Sequence, residues 1–267
     1  MIIDCHTHVD SIAQIADLQK SMQANNIAKS IILFDCGMKT PTQTELLKEI
    51  EKYDNLYLAV STTITDKNLF EKQFNEVKSI IENPKVVGFK LYLGYEYFYA
   101  NDERCFPIYE LCLKLNIPVI FHTGDTLNAD KKALIKYANP IYLDDVAVKY
   151  PKLKIVIAHI GNPLWINETA ELVYKNKNIY TEISGILHDE NTAYSKRYNS
   201  KLKEQILDLI AYVGASDKIM FGTDYPYFKQ KDYIDFICFF DEFAVKDKEN
   251  ILFRNAEYLF KLKQEKL

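Results

Sequence analysis

Ile2-Ile3-Asp4-Cys5-His6-Thr7-His8 begins as an apolar run and closes on two histidines. Such a run reads as a strand. Side chains alternate along a strand, so His6 and His8 share one face. Three further runs end alike: IPVIFH on His122, KIVIAH on His159, and KIMFGT is followed by Asp224. Four of the chain's five histidines therefore sit where strands stop. Imidazole nitrogens and a carboxylate converging on one mouth suit a divalent transition metal of intermediate softness.

Outward from these stretches, apolar spacing switches repeatedly between strand-like runs and helical periods. Eight strands are predicted: Ile2–Cys5, Ser30–Asp35, Leu56–Val60, Val86–Leu91, Pro118–Phe121, Lys154–Ala158, Asn178–Ile183 and Lys218–Gly222. Most are apolar at consecutive positions, as strands covered on both faces are. Amphipathic stretches lie between them at 45–53, 70–82, 108–115, 143–150, 168–175 and 202–213. Eight such alternations in 267 residues predict an α/β fold, the (β/α)8 TIM barrel, as one domain over residues 1–267. A doubly wound open sheet is the alternative, but its Gly-rich phosphate loop is absent. The C-terminal helical stretch, Glu249–Leu262, is expected on the barrel exterior.

Composition narrows the function classes. A net charge of −4 disfavours a dedicated nucleic-acid binder. No stretch is apolar and long enough to span a bilayer. The first strand begins at Ile2 and carries two candidate ligands, so no signal peptide is expected. Five cysteines without a C-x-x-C pair suit a reduced, cytoplasmic setting.

Each candidate has a plainer reading. An H-x-H pair also describes surface or core histidines, His122 or His159 alone could be a satisfied core residue, and Asp224 could cap a helix. Their conjunction at strand ends favours catalysis, because barrel enzymes draw catalytic groups from that face. A metal would make a bound water acidic and polarise a substrate oxygen. Asp224 could then accept the water's proton, while His159 orients the water or stabilises the oxyanion. Asp4, on the same face, could orient an imidazole. His188 falls in a polar stretch and reads as a solvated loop residue.

Taken together, IIDCHTHV, GFKLY, VIFHTG, KYPKLKIVIAHIG, NIYTEISG, KIMFGTDYP and ILFRNAEYLF resemble the amidohydrolase superfamily, specifically its amidohydrolase-related group. The resemblance covers residues 2 to about 260 and implies a metal-dependent TIM barrel. It implies a zinc-type divalent ion held by His6, His8, His122 and Asp224. It leaves His159 as a catalytic histidine beside the ion or a ligand to a second one. Lys90 stands where two-metal relatives carry a carboxylated bridging lysine. It could be that bridge, a cation that grips an anionic substrate, or a lysine paired with Glu182; one ion, with Lys90 contacting substrate, is the favoured reading.

The expected reaction is hydrolysis of a C–O or C–N bond in a small ester, lactone or amide. A decarboxylase or hydratase acting on a small unsaturated or aromatic acid is the alternative. Decarboxylases of the group it resembles usually carry a long insertion after H-x-H and use arginine for the substrate carboxylate, so the short stretch after His8 and the scarcity of arginine favour hydrolysis. Lys90, Tyr92 and Arg104 are the candidate substrate contacts, the last two in a loop that could be a lid, a wall or helix packing. Gly124, Asp125, Asn162 and Tyr225 are expected at the rim. A non-catalytic barrel keeping its ligands for stability also remains open, as does a homodimer.

Overall fold

The computed structural model describes residues 1–37, 41–126, 132–189, 191–238 and 240–262. Its centre is a parallel eight-stranded sheet in sequence order. The strands are β1 (Ile3–Thr7), β2 (Lys29–Leu33), β3 (Leu56–Ser61), β4 (Val86–Leu91), β5 (Val119–Phe121), β6 (Ile155–Ile157), β7 (Ile179–Glu182) and β8 (Ile219–Met220). The ring closes between its last and first strands through backbone bonds. Cys5 N–H donates to Phe221 O at 3.1 Å, His8 N–H to Tyr225 O at 2.6 Å, and Asp224 N–H to His6 O at 2.8 Å. Those three bonds bracket the HTH stretch and bring Asp224 beside it.

Helices cover the outside: α1 (Gln14–Ala24), α2 (Gln43–Ile50), α3 (Lys67–Ile80), α4 (Phe106–Leu115), α5 (Leu143–Lys149), α6 (Ile166–Lys175), α7 (Ala193–Val213), α8 (Gln230–Cys238), α9 (Val245–Glu249) and α10 (Asn255–Leu259). Among the described residues, no helix is long and apolar enough to cross a membrane. Local chemistry sets several ends. Thr42 and Glu45 form a reciprocal capping box that starts α2, and Thr192 with Ser195 does the same for α7. That second box begins α7 nine residues ahead of the helix predicted at Leu202. Its first turns are largely exposed and carry no apolar stripe.

Side chains that point inward from the strands form one apolar cluster, with Ile3, Ile31, Tyr57, Val87, Ile120, Val156 and Met220 among its members. Ala256, Leu259 and Phe260 pack on this interior cluster, so α10 covers the open base of the barrel rather than its outer wall as expected. It stoppers the barrel's base. Lys29, at the start of β2, reaches Glu257 at 3.5 Å, and Lys154, just before β6, donates to Leu259 O at 3.4 Å. An apolar helix face gains more from the open end of a hydrophobic barrel than from an outer wall already covered by other helices.

Candidate metal centre

The four strand-end histidines face one another, and each has one ring nitrogen committed to an oxygen acceptor. His6 Nδ1 meets Glu182 Oε1 at 2.9 Å, and His8 Nδ1 meets Leu33 O at 2.9 Å. His122 Nε2 meets Asp125 O at 2.9 Å, and His159 Nδ1 meets Ser184 O at 2.9 Å. Carbonyl and carboxylate oxygens only accept, so the committed nitrogens carry the protons. A neutral imidazole then presents a bare lone pair on its other nitrogen. Burial drives His6 and His122 well below the ordinary histidine range, and His159 down to about 4, which keeps these rings neutral near pH 7.

Lone pairs therefore confront each other. His6 Nε2 lies 3.2 Å from His8 Nε2, and Asp224 Oδ1 lies 3.1 Å from the latter and 3.5 Å from the former. Ligand atoms of these three residues lie within 4.8 Å of one another. His122 Nδ1 similarly faces His159 Nε2 at 3.1 Å. With no proton between them, the facing lone pairs of His122 and His159 repel unless a cation sits among them. The residues present thus fit a divalent ion by type, protonation and direction.

A second group, His6, His159 and Glu182, also meets the distance requirement for an ion. Its middle is filled by the Ser184 hydroxyl, 2.9 Å from His6 Nδ1, 3.0 Å from His159 Nδ1 and 2.9 Å from Glu182 Oε1. That group is a hydrogen-bonded support rather than a vacant cage.

Backbone conformation aims the ligands. Asp224 has φ 65°, and His159 and Ile160 have φ 62° and 47°. Left-handed backbone costs a non-glycine residue roughly 1 kcal/mol or more. Here it turns both functional side chains back over the barrel axis.

The mouth divides into two chambers. The first, 290 Å³, is lined by His6, His8, Lys90, Tyr92, Cys36 and Tyr227, among others. The second, 500 Å³, is lined by Asp125, Asn162, His188, Ser195, Tyr198 and Phe228, among others. Tyr95, His122, His159 and Asp224 border both, and the Tyr95 ring meets His122 edge-on at 4.8 Å.

Lys90, at the last turn of β4, is fully buried, and its Nζ has no hydrogen-bond partner among the described residues. Burial lowers its pKa to about 8, against the opposing pull of Glu182 and Asp224. It does not pair with Glu182, whose oxygens are taken by His6, His159 and Ser184. Tyr92 lines the same chamber, and its hydroxyl donates to Phe34 O at 2.9 Å.

Other expectations are redirected. Arg104 is exposed, forms a two-pronged pair with Asp102 at 2.9 and 2.6 Å, and lines neither chamber. Its short 3-10 turn faces it outward. Asp4 touches no imidazole ring; it accepts from Thr223 Oγ1 at 2.6 Å and Gln230 Nε2 at 2.9 Å. β1 shifts register between Asp4 and Thr7, so Asp4 does not share the face of the two histidines. It alternates with inward-pointing Ile3 and turns out toward the end of β8 and α8. Tyr225 lends its carbonyl to His8 N–H, and Tyr227 provides the chamber wall. Gly124 approaches Asn162 so closely that a Cβ would lie 2.2 Å from its carbonyl oxygen. His188 stands at the second chamber's edge, stacked on Tyr198 at 4.1 Å. Sequence reasoning missed Ser184, and it raised Glu182 only as one possible partner of Lys90. The one available signal was two polar residues, two apart, at the end of an apolar strand.

A parallel eight-stranded barrel with a histidine and aspartate cluster at the C-terminal ends of its strands defines a metal-dependent enzyme class. The amidohydrolase family model matches residues 3–262, and the chain belongs to that family. It is 25% identical over 203 residues to a gamma-resorcylate decarboxylase of Polaromonas sp., a match covering 61% of this chain and 56% of that one. The chain spans about half the length of the curated relatives it matches. A zinc-bound amidohydrolase of Burkholderia multivorans superposes with TM-score 0.74 at 13% identity, covering 98% of this chain and 100% of that one. A dihydroxybenzoic acid decarboxylase of Polaromonas sp., with manganese and 2-nitroresorcinol bound, gives 0.70 at 16%, covering 99% and 98%.

Proposed function

We propose that the protein is a metal-dependent hydrolase that cleaves a C–O or C–N bond of a small ester, lactone or amide bearing an anionic group. The carrying observation is the set of ring nitrogens turned inward beside the Asp224 carboxylate, with His6, His122 and His159 kept neutral by burial. His6, His8 and Asp224 would hold the ion, with His122 Nδ1 completing the set from β5. When bound, a zinc-type divalent ion supplies Lewis acidity to a water and to a substrate oxygen.

The chain's own groups do the rest. Asp224 directs Oδ1 at His6 and His8, which leaves Oδ2 to take a proton from the attacking water and pass it to the leaving group. His159, neutral and held through Nδ1, turns Nε2 toward the reacting oxygen. The Lys90 ammonium, 5.3 Å from the centre of the Tyr92 ring and with no hydrogen-bond partner among the described residues, supplies the counter-charge for an anionic substituent. Tyr92 and Tyr227 bound that end, and the walls hold bulk water away from it.

Decarboxylation of a small aromatic acid is the second reading, motivated by the match to gamma-resorcylate decarboxylase. A panel of lactones, esters, amides and hydroxybenzoic acids, offered to zinc- and manganese-loaded protein, separates the two. Acid release without carbon dioxide supports hydrolysis. Carbon dioxide release with no hydrolytic turnover replaces it with the second reading. Full activity after exhaustive chelation would sink both.

A further inference from the structure

We propose that Glu182 and Ser184 form a positioning pair that sets the tautomers of His6 and His159 together, linking the ion-holding histidine of β1 to the reacting histidine of β6. Glu182 Oε1 accepts from His6 Nδ1–H at 2.9 Å, from Ser184 Oγ–H at 2.9 Å and from His159 backbone N–H at 3.1 Å. Its Oε2 accepts from Ser184 N–H at 2.6 Å. The single hydroxyl proton of Ser184 goes to Glu182, which leaves its lone pairs facing the Nδ1–H of both rings. One side chain thus touches both imidazoles, and one carboxylate oxygen anchors His6 by its ring and His159 by its backbone.

The surroundings are built around the pair. A Cβ on Gly222 would lie 2.7 Å from Glu182 Oε2 and 3.0 Å from His6 Cβ. Gly185, at φ 66°, would bring a Cβ within 2.8 Å of His159 Nδ1. Only residues without side chains leave room for the carboxylate and the ring. Glu182, Ser184 and both rings are buried, so no water competes for these bonds. Outer partners of this kind fix which ring nitrogen is free for a metal.

The pair acts on the ion through His6, and so rests on the proposed role of His6 as a ligand. Nitrogen NMR of histidine-labelled, metal-free protein reads the protonated ring nitrogen without substrate or ion. Both His6 and His159 are expected as Nδ1–H in the wild type. Glu182→Gln can turn an amide donor toward His6; His6 is then expected to shift to Nε2–H and zinc affinity, read by chelator competition, to fall about 10–100-fold. Ser184→Ala keeps both tautomers, because Glu182 and the Ser184 carbonyl remain, and weakens zinc by about 3–10-fold. Wild-type His6 or His159 protonated on Nε2 overturns the proposal, as does unchanged zinc affinity in both variants. Where Glu182→Gln does not fold, the wild-type tautomers and Ser184→Ala decide. Zinc binding undiminished in His6→Ala would instead remove the ligand role of His6, while the tautomer shift in Glu182→Gln still reports on the pair.

Discussion

The two chambers of the mouth are made differently. The smaller one draws its wall largely from strand ends: His6 and His8 from β1, Lys90 from β4, Asp224 just beyond β8. The larger one is walled mainly by loops and the start of α7, with Asn162, Ser195 and Tyr198 beside the carboxylates of Asp125 and Asp189. The buried, inward-facing ring nitrogens and the partnerless Lys90 Nζ are gathered on the strand side, where a displacement of a fraction of an ångström would be costly. Hydrogen-bonding groups carried on loops and on the start of α7 line the other side. The division assigns chemistry to the sheet and selection to the connections, as loop-borne specificity on a rigid scaffold would require.

The strongest attempt to break this division is Asp224→Asn. It keeps shape while removing a charge from the strand side, and turnover on the responsive substrate should fall about 10²–10⁴-fold. A steady-state assay alongside metal stoichiometry checks it, and near-normal turnover would refute the assignment.

Lys90→Met comes next and has two readouts. Apparent affinity for anionic substrates should drop about 10–100-fold, while neutral analogues change little. The stability effect carries a sign. The folded pKa near 8 lies below the ordinary 10.5, so the cost of burying the charge is full below pH 8 and is relieved as pH rises toward 10.5. Wild type should therefore gain on Lys90→Met by up to about 3 kcal/mol across that window. Urea titrations at pH 7 and 10 measure the difference; a parallel pH response in both proteins contradicts it.

Tyr95→Ala sharpens the comparison by removing the partition. Relative kcat/KM for a bulky over a compact ester should rise about 10-fold or more as the chambers merge. A uniform loss across the series would mean that the ring only supports His122. His188→Ala, at the outer edge of the loop side, should change kcat/KM by about threefold or less. A loss comparable to that of Asp224→Asn would place essential chemistry in the larger chamber.

How far these features could be read in advance follows from the same contrast. All eight strands lie within two residues of their predicted limits, because doubly covered strands leave unbroken Ile and Val runs. Strand ends carry a direction, so His6, His8, His122, His159 and Asp224 could be placed at one mouth before any coordinates. Loop positions carry none. Arg104 shares the segment between β4 and α4 with the chamber residues Tyr92, Tyr95 and Glu96, yet its turn sends it to Asp102. Tyr225 and Tyr227 differ by two positions, and only backbone geometry decides which ring enters. Charge alone makes Glu182 one candidate partner for Lys90, whereas the close-fitting donors of His6, His159 and Ser184 claim it. The C-terminal helical period was visible, but periodicity does not tell an outer wall from an open base.

That base has a kinetic consequence. With the ring filled by its own side chains and α10 corking its base, a reactant or product of the proposed reaction would reach the two described chambers through the doorway between the β-to-α connections. Occupancy of that doorway by a departing product blocks the next arrival, so substitutions among the connecting segments should register first as slower turnover at saturation and as product inhibition, with the bond-breaking step itself left intact.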